Sequence, residues 1–239
     1  MVVFITSADC EKAMLDVVLI LDQSSSLVTG QPNYNNWDVH MLGFAASLVR
    51  SFPISPTLTQ IGLMKYSDEP DIVFHLNNYT EAESILEMLQ TLDIDGGDTN
   101  IAGALEAARI KMFVEERGAR LEQEVRRVLF LVTDGTANIN VSRTQTEAKL
   151  AKDTGIEIYT IGVTSRVSQR QLEMIASYPP EMHFYYVPDF FMLENVVHDL
   201  AQSACLSVHS TTTTTTTATT PTTTTTATPT TTTTPMTGR

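Results

Sequence analysis

The sequence predicts an α/β protein: an open, doubly wound, mostly parallel sheet with one short antiparallel edge strand and helices on both faces. Three observations predict it. Near-continuous apolar runs of strand length recur along the chain, as strands buried on both faces require. Segments with apolar residues at helical spacing separate them. The apolar share is 42% of 239 residues, enough for one sizeable core, whereas residues 211–239 hold 21 Thr and add nothing to it. The fold therefore belongs to roughly the first 205 residues, a length that suits one domain.

Each element has its own signal. Residues 16–22 (DVVLILD) form the first apolar run. A polar loop follows, and Trp37, Met41, Phe44, Ala45 and Leu48 then recur at helical spacing over 37–52. Residues 58–66 read as a strand and 71–76 as its antiparallel partner across the turn Ser67-Asp68-Glu69-Pro70. Thr80 and Glu83 make a capping-box pattern ahead of a helix over 81–91. After the loop 93–98, Ile101, Leu105, Ala108 and Met112 line one face of another helix. Strands at 126–133 and 156–163 flank a helix at 143–153 that Gly155 breaks. Ser168 caps a helix over 169–177, which Pro179-Pro180 ends, and a strand at 183–187 and a helix at 190–203 close the domain. Strands alternating with helices give the Rossmann-like layering, and such a sheet places its ligand at the carboxyl ends of its strands.

Composition narrows the function. Against 28 Asp and Glu stand 15 Lys and Arg, a net charge of −13. A nucleic-acid binder needs a basic stripe, so that class is set aside. The longest apolar run, residues 17–21, is far short of the ~18 residues of a membrane span. Two cysteines, Cys10 and Cys205, flank the structured segments, with no CxxC or Cys/His cluster to suggest zinc. They are two separate thiols or one bridge closing the domain, and domain termini that lie close together make the bridge feasible. Two sequons, at Asn78 and Asn140, together with the Thr-rich tail favour an oxidising, extracellular compartment. The segment 1–6 lacks a basic region and a full apolar stretch, so the sequence is expected to be a fragment or a mature form. The tail ends at Met236-Thr237-Gly238-Arg239 without a terminating feature, so the full protein is expected to continue past it.

Three loops at the carboxyl side of the sheet carry compact oxygen donors: Asp22-Gln23-Ser24-Ser25-Ser26 ends the first strand, Asp98-Thr99-Asn100 lies in the loop before the third helix, and Thr133-Asp134-Gly135 ends the third buried strand. A hard divalent cation takes about six oxygens. Asp22, Ser24 and Ser26 alternate in one tight loop, and Thr99 and Asp134 can close the shell. Hydroxyls are weak, neutral ligands, so such a site leaves the cation electrophilic toward an external carboxylate. The same Ser and Asp residues also suit ordinary helix caps. Enzyme readings lack their parts. A phosphohydrolase of this layering needs a second acid two residues after its nucleophilic Asp, where Ser24 stands. Neither a P-loop nor a GxSxG elbow occurs. The five His are scattered and read as surface or capping residues. The aromatics Trp37, Phe184, Tyr185, Tyr186, Phe190 and Phe191 read as core, and the charged stretch 115–124 as a solvated face or loop.

At these residues the sequence resembles the von Willebrand factor type A domain. Asp22-x-Ser24-x-Ser26, Gly97-Asp98-Thr99-Asn100 and Thr133-Asp134-Gly135 match its metal-ion-dependent adhesion site (MIDAS) in order and context. The resemblance spans residues 10–205, and the segment after Ile175 is similar to the closing part of matrix-type members, as in matrilins and collagen VI. It implies that Ser24, Ser26 and Thr99 bind the cation through hydroxyls, with Asp22 and Asp134 binding directly or through water. It implies Mg²⁺, or Mn²⁺ or Ca²⁺, as the cofactor, and a disulfide between Cys10 and Cys205. The partner it implies is an extracellular protein offering an Asp or Glu carboxylate, such as a collagen or another matrix protein. The short segment after strand 156–163 leaves no room for the extra helix of collagen-binding integrin inserted domains. Gln23 and Ile101 depart from the family pattern at positions that are not ligands, and a glycan on Asn140 would crowd the metal face.

The expected organisation is an N-terminal flank over 1–9, a type A domain over 10–205, and a disordered, mucin-like Thr-rich tail over 206–239, either O-glycosylated or a plain linker. The expected function is non-enzymatic, secreted adhesion through the cation. The alternative is a fibrous or mineralised matrix scaffold that assembles through metal-independent surfaces of the same domain.

Overall fold

The computed structural model describes Cys10 and residues 12–27 and 36–206. The expected flank over 1–9 and nearly all of the Thr-rich segment lie outside the described residues. Among the described residues, six strands form one sheet in the order β3-β2-β1-β4-β5-β6. They are β1 (Leu15–Asp22), β2 (Thr59–Tyr66), β3 (Pro70–Phe74), β4 (Arg126–Thr133), β5 (Ile156–Val163) and β6 (Phe184–Val187). All neighbours are parallel except β3, which pairs antiparallel with β2 at the edge. This is the mostly parallel sheet that the sequence predicts.

All eight residues of β1 are buried, which explains its unbroken apolar run. Successive side chains point to opposite faces. Val17, Leu19 and Leu21 join one core with α1 (Leu42–Arg50), α2 (Ala82–Leu89) and α7 (Val197–Leu206). Val18 and Ile20 join the other core with α3 (Ile101–Ala107), α4 (Val141–Asp153) and α5 (Gln169–Ile175). Two helical layers therefore cover the sheet, and no helix among the described residues is long and apolar enough to cross a membrane.

Several local expectations are corrected. The Thr80–Glu83 capping box does not form: Glu81 is the extended residue before α2, with no side-chain cap. The helix over 37–52 begins with wide turns at Asn36–Met41 that bury Trp37, whose indole N–H donates to Leu92 O at 3.2 Å. A similar wide segment, Ala108–Met112, continues α3. α5 stops at Ile175, and Pro180 opens a separate short turn, α6 (Pro180–His183), where its missing N–H costs nothing. The closing helix starts as a tighter 3₁₀ segment at Phe190–Val196.

The charged stretch 115–124 is not all solvated. Gly118 turns the chain at φ 97°, and Arg120 then points inward to the wholly buried Asp16. Its Nε donates to Asp16 Oδ1 at 2.9 Å, and its guanidinium also meets Leu15 O and Leu58 O. His183 is likewise no surface residue: it is buried, with Nε2 2.7 Å from Glu157 Oε1 and Nδ1 2.8 Å from Pro179 O. Two aromatics reverse the core expectation: Phe191 is 63% exposed beside the ring of His40, and Tyr186 is exposed on β6. Cys10 and Cys205 form a disulfide with Cα atoms 5.2 Å apart, joining the start of the domain to α7.

Candidate functional site

β1 sits between β2, its successor, and β4, reached by a later crossover. The connections leave β1 and β4 in opposite directions, which opens a crevice at their carboxyl ends. Asp22 ends β1, and Asp134 directly follows β4. Both are wholly buried.

Asp22 Oδ1 accepts the backbone N–H of Ser24 at 2.8 Å, which folds the loop into an Asx turn. Its Oδ2 accepts the Thr133 hydroxyl at 2.6 Å and the Tyr66 hydroxyl at 3.4 Å. The turn brings Ser24 Oγ within 3.0 Å of Ser26 Oγ, and Ser26 Oγ donates to Asp134 Oδ1 at 2.5 Å. Asp134 Oδ2 pairs with the guanidinium of Arg166, from the loop after β5. Burial pushes the Asp22 acid up to about 6, against its hydrogen bonds to Thr133 and Ser24, and the charge of Asp134 adds to the rise. Burial also raises Asp134, against Ser26 and Arg166.

Thr99 arrives on a separate loop that is laced to the first. Ser25 N donates to Gly97 O at 2.9 Å, and Gly97 N donates back to Ser25 Oγ at 2.8 Å. Gly97 has φ 114°, a conformation that strains any other residue, and a Cβ there would sit tightly at 3.0 Å from Ser67 Cβ. Asn138 holds Thr99 from the other side: its Oδ1 accepts Thr99 N at 2.7 Å, and its own N–H donates to Thr99 O at 3.1 Å. Thr99 Oγ1 faces Gly135, 3.5 Å from where a Cβ of that residue would sit. Asn100 caps α3 by accepting Gly103 N at 2.9 Å.

The structure thus gathers Asp22, Ser24, Ser26 and Asp134 in one hydrogen-bonded chain and sets Thr99 against the Asp134-Gly135 turn. Neighbouring oxygens around an octahedral Mg²⁺, bound at 2.0–2.1 Å, lie about 3 Å apart. The Ser24–Ser26 spacing of 3.0 Å fits that shell. No cluster of three or more His, Cys, Asp or Glu suited to a metal exists among the described residues, so a cation here depends on the hydroxyls.

The sequence reading named Thr133 only as part of the strand-end motif, and did not identify Tyr66, Asn138 or Arg166. Thr133 and Tyr66 lie at strand ends, where the doubly wound layering points. Asn138 and Arg166 carried no distinguishing pattern. Both sequon asparagines are exposed. Asn78 Oδ1 accepts His75 N at 2.6 Å, while Asn140 stands at φ 51° before α4 with its Nδ2 3.4 Å from Asn100 Oδ1.

A family model, the von Willebrand factor type A domain, matches residues 16–199. The chain belongs to this family. Among its relatives, the collagen alpha-1(XII) chain of Notophthalmus viridescens is 32% identical over 201 residues, covering 84% of this chain and 20% of that one. The human collagen alpha-5(VI) chain is 33% identical over 198 residues, covering 82% of this chain and 7% of that one. This type A chain therefore spans a fifth or less of those relatives. Chicken integrin alpha-1 is 30% identical over 201 residues, covering 80% of this chain and 67% of the matched one. Among solved structures, proximal thread matrix protein 1 from the mussel byssus superposes with a TM-score of 0.74 at 25% identity, covering 82% of this chain and 49% of that one. A form of that protein with a zinc-occupied MIDAS motif gives 0.71 at 28% identity, covering 82% and 47%.

Proposed function

We propose that this type A domain is an extracellular adhesion or matrix-assembly module that holds a partner through a divalent cation. In this reading Ser24, Ser26 and Thr99 supply hydroxyl ligands, and Asp22 and Asp134 supply carboxylates directly or through water. The cation is Mg²⁺, with Mn²⁺ or Ca²⁺ as substitutes. The partner is a matrix protein, such as a collagen, that presents an Asp or Glu. The observation that carries this reading is the convergence of two wholly buried carboxylates with Ser24 and Ser26 at the carboxyl ends of β1 and β4. The byssus protein with a zinc-occupied MIDAS motif supports a divalent cation in general.

When bound, the cation supplies an electrophilic position for an outside carboxylate. The protein's residues do the rest. Asp22 is fixed by Thr133 and Ser24, so its oxygens are oriented in advance. Asn138 and Gly97 hold the Thr99 loop in register. No bond is broken in this scheme, and the module is non-enzymatic. The folded module covers residues 10–205, in a secreted protein whose composition over 206–239 suits an O-glycosylated stalk. Asn78 and Asn140 are its proposed N-glycan sites.

Thermal unfolding in EDTA and then in Mg²⁺, Mn²⁺ or Ca²⁺ tests the cation. A ligand that binds only the native state raises the melting temperature by mass action. The expected result is a rise of several degrees with Mg²⁺ or Mn²⁺ that Asp22→Ala abolishes, with parallel loss of binding to immobilised collagen in EDTA. An equal rise in Asp22→Ala would remove these residues as the site. A second reading, a scaffold assembling through metal-independent surfaces, draws on the exposed side chains of Tyr186 on the edge strand β6 and of Tyr178 and Met182 in the segment before it. It predicts self-association or matrix binding that chelation leaves intact.

A further inference from the structure

We propose that Arg166 is a tethered counter-ion that competes with the divalent cation for Asp134 and so sets the cation affinity of the site. The inference rests on the reading of Asp22, Ser24, Ser26, Thr99 and Asp134 as a cation site.

The position of Arg166 is built rather than incidental. β5 ends at Val163, and Thr164 follows with φ 69°, a left-handed conformation that a β-branched residue adopts only under constraint. The constraints are visible. Thr164 N donates to Val187 O at 2.9 Å, and its hydroxyl donates to Asp134 O at 3.4 Å. Arg166 N donates to Thr164 Oγ1 at 3.3 Å, and Thr136 Oγ1 donates to Arg166 O at 3.0 Å. The backbone of residues 164–166 is thus fastened along the turn 134–136. From there the side chain of Arg166, 49% exposed, reaches Asp134 Oδ2, whose side chain has no exposure at all.

Both oxygens of Asp134 are therefore engaged, Oδ1 by the Ser26 hydroxyl and Oδ2 by the guanidinium. A hydroxyl can turn its lone pairs to a cation without leaving. A guanidinium has only donors and a full positive charge, so it repels a dication that shares Asp134 with it and is driven away as the cation binds. Its half-exposed stem gives it room to do so, while the fastened backbone keeps it beside the site. The arrangement also neutralises one of two buried carboxylates whenever no cation is present, which limits their mutual repulsion. A dication and the guanidinium thus take turns on one carboxylate.

Titration calorimetry of the full chain with MnCl₂ and MgCl₂, beside melting in EDTA, tests this in wild type, Arg166→Gln and Arg166→Lys. Losing a half-exposed charged competitor is expected to tighten cation binding roughly three- to tenfold in Arg166→Gln, and to lower the melting temperature in EDTA. Arg166→Lys keeps the charge and is expected to stay close to wild type, which separates competition from a change of fold. Cation binding that is unchanged or weaker in Arg166→Gln would overturn the inference and leave the cation site standing. Absence of binding heat and of any cation-induced melting shift in all three proteins would overturn both.

Discussion

Asp22 accepts hydrogen bonds from Ser24, Thr133 and Tyr66, yet its acid is pushed up to about 6, because burial and the charge of Asp134 outweigh those donors. The unfolded chain releases this proton near the ordinary 3.8. Between the two values the native state holds more protons than the unfolded state, so this residue's contribution to stability falls as pH rises. Above about 6 the loss is complete and on the order of 2–3 kcal/mol in the absence of cation. Asp22→Asn removes the charge and keeps the shape. In EDTA it is expected to be more stable than wild type at pH 7 and no more stable at pH 4, as urea unfolding at the two pH values will measure. A wild type that outlasts Asp22→Asn at pH 7 in EDTA would show that the carboxylate is satisfied by its neighbours alone. At this scale the five proposed ligands stand out in the sequence because Asp22, Ser24, Ser26 and Asp134 lie at or just after strand ends and Thr99 lies just before the start of α3. The residues that hold them were not legible. Asn138 reaches Thr99 across 39 positions and Arg166 reaches Asp134 across 32, and no local pattern marks such pairs.

Strands were the most legible elements. A strand buried on both faces favours a near-continuous apolar run, and β1 and β4 carry such runs at strand length, while β5 keeps the β-branched and aromatic residues of a strand around Glu157, Thr160 and Gly162. Helix starts were less legible, because a capping box needs an extended Thr at the boundary, and here Glu81 holds that position instead. The loops at the site behave as elements in their own right. The Gly97 loop is held by two hydrogen bonds to Ser25, and it carries Thr99 two residues on. Gly97→Ala would place a Cβ against Ser67 in a left-handed backbone, a strain of about 1–3 kcal/mol. A shift of the loop that relieves it displaces Thr99 relative to Gly135. Gly97→Ala is therefore expected to lower the melting temperature by a few degrees in EDTA and to reduce the further rise with Mn²⁺. A variant that loses stability but keeps the whole cation-induced rise would show that Thr99 is no ligand.

Long-range pairings complete the domain, and composition alone did not reveal them. Arg120 and Asp16 are 104 positions apart, and an arginine in a Glu-rich stretch reads as solvated until the chain turns at Gly118. His183 and Arg126 meet on Glu157 in the same way. The disulfide is the longest such link, with a sequence separation of 195. It pins the end of α7 to the entry of β1, and Arg126 adds a hydrogen bond to Ala204 O beside it. A bridge across so long a segment restricts the unfolded chain strongly, with an expected effect of about 2–5 kcal/mol. Cys10→Ser with Cys205→Ser is expected to lose that much stability in guanidinium unfolding, and reduction of the wild type should reproduce the loss. The effect has a direction within the fold as well. β1 and β4 are held by parallel neighbours on both sides, whereas α7 contacts the sheet through one face and relies on its pinned end. Hydrogen exchange in the double variant is therefore expected to quicken first in α7, with β1 and β4 still protected. Uniform quickening across the sheet would mean that the bridge acts on the unfolded state alone, with no local role in seating α7.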